Sequence, residues 1–159
     1  MKLYFVRHSI AEDGNDIQDF DRKLTKEGSD QMRIAAKGMA ALKIAPVRIY
    51  SSPRVRARQT ADIVAETLGL KVEVREEVNF DFNILAIETL IADLSDSEDV
   101  MFVGHEPSFS ETVGTLIGGG KVVMKKGGLS RVDVYSRKPL RGALIWMIAP
   151  KVFETLGSR

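Results

Sequence analysis

The chain has two histidines, and each stands directly behind a short apolar run: Leu3-Tyr4-Phe5-Val6 leads into Arg7-His8, and Val100-Met101-Phe102-Val103 leads into Gly104-His105. Short apolar runs with β-branched and aromatic members read as buried strands. In an open α/β sheet, chemistry collects just past the carboxyl ends of the strands, and both histidines fall there. One histidine capping a strand can be purely structural. Two of them, with none left over, point to a shared site. A third stretch, Ser52-Pro53-Arg54-Val55-Arg56-Ala57-Arg58-Gln59-Thr60, follows the strand signal Val47–Tyr50 and brings arginines to the opening of a helix.

These residue types suit phosphoryl transfer. A neutral imidazole nitrogen is a competent nucleophile and splits hydrolysis into two easier steps. The attacking nitrogen must be unprotonated, so the other ring nitrogen should donate to a backbone carbonyl that fixes the tautomer. The phosphoryl group stays negative throughout, and catalysis is mainly positioning plus electrostatic stabilisation. Arginine serves this well, because its planar fork binds phosphate oxygens bidentately and keeps its charge. In the first turns of a helix it is joined by free backbone N–H groups. Alternate residues do not share a helix face, so of the three arginines Arg56 is expected to point inward, with Arg54 and Arg58 at the rim or surface.

Composition sets the frame. At 159 residues with 44% hydrophobic and 28% charged residues, the chain reads as one soluble globular domain, residues 1–159. The net charge of +1 gives no global field favouring nucleic acid or a membrane surface. With no cysteine there is neither a disulfide framework nor a thiolate metal site, and a cytoplasmic location is expected. The apolar run at the start is too short for a signal peptide. No segment approaches the roughly 18 apolar residues of a membrane span.

Strand and helix signals alternate along the chain. An acidic loop, Ala11 to Lys23, precedes a helix opened by Thr25, with Met32, Ala35, Ala36, Met39, Ala40 and Leu42 as its apolar stripe and Ala45-Pro46 as its stop. After the strand Val47–Tyr50, Ser51-Ser52-Pro53 reads as a helix entry with serine as cap; Gly69 ends that helix. Lys71–Val74 alternates as an edge strand does, and Ile84–Leu94 is helical. The strand Val100–Val103 leads to a helix from Pro107-Ser108 to Leu116-Ile117, broken by Gly118-Gly119-Gly120. Two strands, Ser130–Tyr135 and Ala143–Ile148, and a short helix Val152–Leu156 close the chain. The order predicts an α/β fold: a three-layer α/β/α sandwich around a mostly parallel sheet, with the last strand pair antiparallel.

Arg7-His8 after the first strand, Ser52-Pro53 with Arg56-Ala57-x-Gln59-Thr60-Ala61 at a helix start, and Val103-Gly104-His105 after a later strand together resemble the histidine phosphatase (phosphoglycerate mutase-like) superfamily. The shortness of the chain resembles its smallest branch, the SixA-type phosphohistidine phosphatases. The resemblance implies that His8 takes the phosphoryl group covalently, while Arg7, Arg56 and His105 hold its oxygens. It also implies a signalling role and no metal or organic cofactor. Two positions depart from the pattern: Ser9 stands where the family has glycine, and Glu106 where the short branch often has asparagine. Both are expected at the edge of the phosphate site.

An ester leaving group needs a proton, hence a carboxylic acid of raised pKa. Glu77 matches the position that the mutase branch uses, Glu106 resembles the acid of the branch containing acid phosphatases, and Asp81 is a third candidate. Phosphohistidine loosens this need, because its P–N bond is already labile and releases an imidazole. The expected partners are a phosphorylated protein domain or a small phosphorylated molecule, with no nucleic acid and no membrane. Other readings fit the residues less well. A non-catalytic phosphate-binding regulator need not keep His8. A metallohydrolase would have only two histidine ligands, beside opposing arginines. A mutase needs lids longer than the segments Ser9–Leu24 and Glu76–Asn83.

Overall fold

The computed structural model describes residues 1–157. It contains six strands, β1 (Lys2–Arg7), β2 (Arg48–Ser51), β3 (Val72–Val74), β4 (Val100–Gly104), β5 (Leu129–Arg137) and β6 (Leu140–Ile148). The helices are α1 (Lys26–Ala41), α2 (Val55–Leu68), α3 (Ile84–Leu90), α4 (Ser108–Leu116) and α5 (Pro150–Gly157), with short 3-10 turns at Asp19–Asp21 and Glu76–Val78. The strands form one sheet in the order β3-β2-β4-β1-β5-β6. Pairings from β3 to β1 are parallel, and those of β5 with β1 and β6 are antiparallel. This is the mostly parallel α/β sheet that the alternating pattern predicts.

The apolar runs behave as strands buried on both faces. Along β1, Leu3 and Phe5 enter one core together with Phe102, Phe82 and Phe109 and the apolar sides of α3 and α4. Tyr4 and Val6 enter the other, with Ile49, Val103, Met32, Met39, Ala61, Val64 and Phe153 from α1, α2 and α5. Side chains of a strand alternate between faces, so one continuous apolar run fills both layers.

Thr25 caps α1 by accepting from the Gly28 amide at 3.0 Å, and Gly69 in the left-handed region (φ 69°) closes α2. The α2 entry differs from expectation. The helix begins at Val55 with Arg54 as its cap residue and no side-chain cap bond. Ser52 Oγ instead accepts the Arg54 amide at 3.3 Å and faces His105, so the serine belongs to the site. Helix α3 stops at Leu90 because Ile91 leaves helical geometry (ψ 4°), although Ile91 and Leu94 remain in the core. Their apolar periodicity reported burial, and the sequence reading extended the helix through it. Helix α5 starts two residues before the expected Val152.

Candidate functional site

Strands β2, β4 and β1 are parallel neighbours, so their carboxyl ends share one edge of the sheet. Arg7 pairs with Gly104 in the β1–β4 register, and Ser51 pairs with Val103 in β2–β4. His8, His105 and Ser52 are each the next residue beyond those pairs. The backbone ladder continues one step: the His8 amide donates to the Gly104 carbonyl at 2.9 Å, and the Ser52 amide to the Val103 carbonyl at 3.0 Å. The two imidazole centroids lie 5.3 Å apart. Gly104 is required by this closeness: a Cβ there would sit 2.7 Å from the Phe109 ring. Gly127, at φ +72°, turns its amide toward the carbonyls of both Arg7 and His8, at 3.0 Å each.

His8 is buried, and its Nδ1 lies 2.8 Å from the Ser9 carbonyl oxygen. A carbonyl only accepts, so Nδ1 carries the proton and Nε2 carries the lone pair. Arg56 Nε donates to that Nε2 at 3.3 Å. Burial, with the charges of Arg56, Arg7 and Lys126 adding to it, lowers the His8 pKa to about 4 against the Ser9 bond. Its nucleophilic form is therefore the resting form at neutral pH.

His105 is lowered to about 3, first by burial and then by His8, Arg56 and Arg54. Its Nε2 is 2.7 Å from Ser52 Oγ, while its Nδ1 is buried without a partner. Arg7 donates from Nη1 to the Met124 carbonyl at 2.8 Å and also has a buried, unpartnered Nε. The site thus holds two neutral rings and two arginines with polar capacity to spare.

The three helix arginines separate as their spacing predicts. Arg56 is 4% exposed, its side chain directed to His8, whereas Arg58 is 43% exposed and pairs with Asp62 on the surface. Arg54 lies between, at the rim, with its guanidinium 3.7 Å over the Phe80 ring. Phe80 in turn meets His105 edge-on, centroids 4.9 Å apart.

Asp19, in the acidic loop, is the residue the sequence reading missed. Its carbonyl accepts from Arg56 Nη1 at 2.7 Å, and its Oδ2 from Arg56 Nη2 at 3.2 Å and Arg54 Nη1 at 2.7 Å. Arg22 binds its Oδ1 at 3.0 Å. Partial burial pushes the Asp19 carboxyl up, but the Arg22 bond and the charges of Arg56 and Arg54 outweigh it and hold it below the usual range. A carboxylate beside an anion site is unexpected from sequence; only tertiary packing reveals that it orients the arginines. Leu24, at the end of the same loop, is tied to the Gln59 side chain at 2.8 Å.

The other expected site residues take different places. Ser9 gives its carbonyl to His8, its amide to Thr60 Oγ1 at 3.2 Å and its hydroxyl to Gln31 at 3.3 Å, so its side chain is turned aside. Glu106 accepts from the Ser110 amide at 2.9 Å and hydroxyl at 2.5 Å, and Ser110 Oγ accepts the Met124 amide at 3.1 Å. It therefore braces the turn that holds Arg7. Glu77 is engaged by Arg75, at 2.6 and 3.3 Å, which holds its carboxyl below the usual range. This is opposite to what a general acid needs, and the expectation for Glu77 is revised on that ground. The Asp81 side chain is exposed and makes no hydrogen bond. Among the described residues no three His, Asp or Glu side chains gather as a metal site would require.

Both histidines are buried neutral, whereas an unfolded histidine titrates near ~6.5. Between that value and about 4 and 3 the unfolded chain binds more protons, so stability is full above about pH 6.5 and declines as pH falls. Melting temperature is expected to drop from pH 7 to pH 4.5, and the drop should be smaller in a His8→Asn/His105→Asn variant. Equal drops would show that the rings are not buried neutral.

The family model of the histidine phosphatase superfamily, branch 1, matches residues 3–83, more than half of the 159 residues. An uncharacterized protein of Picosynechococcus is 34% identical over 115 residues, 70% of each chain. Two solved structures are similar across nearly all of both chains. The protein histidine phosphatase SixA complexed with tungstate is 24% identical with a TM-score of 0.85, over 96% of this chain and 99% of that one. The inferred phosphohistidine phosphatase SixA of Agrobacterium tumefaciens is 28% identical with a TM-score of 0.77, over 94% and 97%. Motif order, fold and these matches agree on one assignment: the chain belongs to the histidine phosphatase superfamily, branch 1, and is a hydrolase of the kind that uses a histidine nucleophile.

Proposed function

We propose that the protein is a protein phosphohistidine phosphatase acting through His8. The observation that carries this reading is the His8 ring itself, neutral, with Nδ1–H on the Ser9 carbonyl and Nε2 presented beside Arg56. Nε2 attacks phosphorus, forming the N–P bond as the bond to the leaving group breaks. Arg7, Arg56 and the unpartnered Nδ1 edge of His105 hold the equatorial oxygens. Water then attacks phosphorus, the N–P bond breaks, inorganic phosphate leaves, and the charge of the departing phosphate takes up the proton. A SixA relative of the same fold is complexed with tungstate, a tetrahedral oxyanion like phosphate, which supports the same use of this strand edge.

The choice of phosphohistidine rests on the missing acid. Glu77 is ion-paired and Glu106 is spent on Ser110, so neither is poised to protonate an alkoxide. An imidazole leaving group carries its own basic nitrogen and needs no such donor. The test is dependence on leaving group. Purified protein should dephosphorylate a phosphohistidine domain briskly, an aryl phosphate measurably and an alkyl phosphate barely, and Glu77→Gln and Glu106→Gln should leave the phosphohistidine rate within about twofold, against the ~10²–10⁴ worth of a working general acid. Preference for alkyl phosphates with a large Glu77→Gln loss would instead establish a small-molecule phosphomonoesterase.

A further inference from the structure

Arg7 borders a second hollow that the reaction leaves unused. A groove of about 580 Å³ is lined by Arg7, Gln31, Lys125, Lys126, Pro150 and Lys151. It lies between the segment leading into β5 and the first turn of α5. Lys125, Lys126 and Lys151 are all exposed, and among the described residues none of the three ammoniums meets a carboxylate or a hydrogen-bond acceptor. Two acids stand nearby, and both are engaged. Glu154 of α5 accepts from Gln31 Nε2 at 3.2 Å, and Glu106 gives its oxygens to Ser110. The far side of the site is different, because there Asp19 answers Arg22, Arg54 and Arg56. The uncompensated positive charge therefore lies on one side only. It reaches the reacting ring: the Lys126 ammonium acts electrostatically on His8.

We infer that this groove is a docking subsite for acidic residues flanking the phosphohistidine of a protein substrate, an inference that rests on the phosphohistidine reading above. Three ammoniums on flexible stems suit carboxylates of variable position, whereas a fixed second phosphate calls for the planar fork of arginine. The groove opens beside His8, so a chain whose phosphohistidine sits in the site lays its neighbouring residues along the lysines, at about 3.3 Å per extended residue. Unpaired lysines at a rim act by raising encounter and lowering KM, with the chemical step untouched.

The test uses two peptides of one length, each phosphorylated on a central histidine with phosphoramidate, one flanked by Asp and Glu and the other by Asn and Gln. The wild-type protein should prefer the acidic peptide ~10-fold in kcat/KM, through KM, with the preference fading as salt shortens the screening length. Lys125→Ala/Lys126→Ala/Lys151→Ala should bring the two peptides to equal kcat/KM, and Lys126→Glu/Lys151→Glu should reverse the order. Equal turnover of both peptides by the wild type, or a preference that survives the triple variant, overturns the subsite alone. Turnover of neither peptide alongside brisk hydrolysis of an alkyl phosphate overturns the phosphohistidine reading, and the subsite falls with it.

Discussion

His8→Ala is expected to bring phosphatase turnover to background while far-UV circular dichroism and the melting temperature at pH 7 stay close to wild type. The expectation follows from what the ring does and does not touch. Its polar contacts are the Ser9 carbonyl and Arg56 Nε, and it belongs to neither of the two apolar cores. Removing it deletes the atom that forms the covalent bond and no packing that holds the sheet. Arg56 keeps its other anchors on Asp19, at 2.7 and 3.2 Å, so the phosphate-binding charge should remain and the variant should still bind inorganic phosphate or tungstate. Loss of phosphate binding together with turnover would mean that the ring is structural. A substantial residual rate would mean that another group attacks phosphorus.

The second large effect belongs to the arginines. Arg7→Ala and Arg56→Ala should each cost about 10²–10³ in kcat, the scale of removing one donor from a developing oxyanion. Arg58→Ala should change little, because Arg58 is engaged with Asp62 one helical turn away on the surface. Arg54→Ala should fall between, since Arg54 stacks on Phe80 and shares Asp19 with Arg56. Arg56→Lys should not restore the Arg56→Ala loss, because an ammonium cannot bond to Asp19 and present a second N–H to the site in one plane. Steady-state kinetics on the four variants would settle the order. Similar losses for Arg58 and Arg56 would show that a different arginine faces the phosphate.

Much of this site was legible before any coordinates. Arg7-His8 and Gly104-His105 could be placed because strand ends are marked by abrupt changes from apolar to polar residues, and parallel order puts those ends on one edge. Arg56 could be singled out by helical geometry alone. Asp19 could not, since nothing local distinguishes it from Asp13, Asp16 or Asp21 in the same acidic loop; its role is created by tertiary contact with α2. Ser52 was read as a helix cap, the commonest use of a serine before proline, yet the same hydroxyl serves His105. Glu77 shows the opposite failure: the position fits a catalytic acid, but Arg75, two residues away, takes up the carboxylate. A motif specifies position, while protonation depends on neighbours that the motif does not include.

The same neighbours explain why the nucleophile needs no base to activate it. Arginines beside a solvent-exposed imidazole would only lower its pKa modestly; burial does most of the work and brings His8 to about 4. Arg56 and Arg7 then supply charge for the phosphoryl oxygens without protonating the nitrogen that must attack.

The central claim is a covalent bond between phosphorus and Nε2 of His8, and rapid-quench labelling tests it most directly. Wild-type protein mixed with a ³²P-labelled phosphohistidine domain and quenched in alkali within the first turnover should carry label that is stable to base, lost in acid and mapped to the peptide containing His8. Label that is acid-stable, that maps to His105 or to a carboxylate, or that persists in His8→Ala would contradict the account.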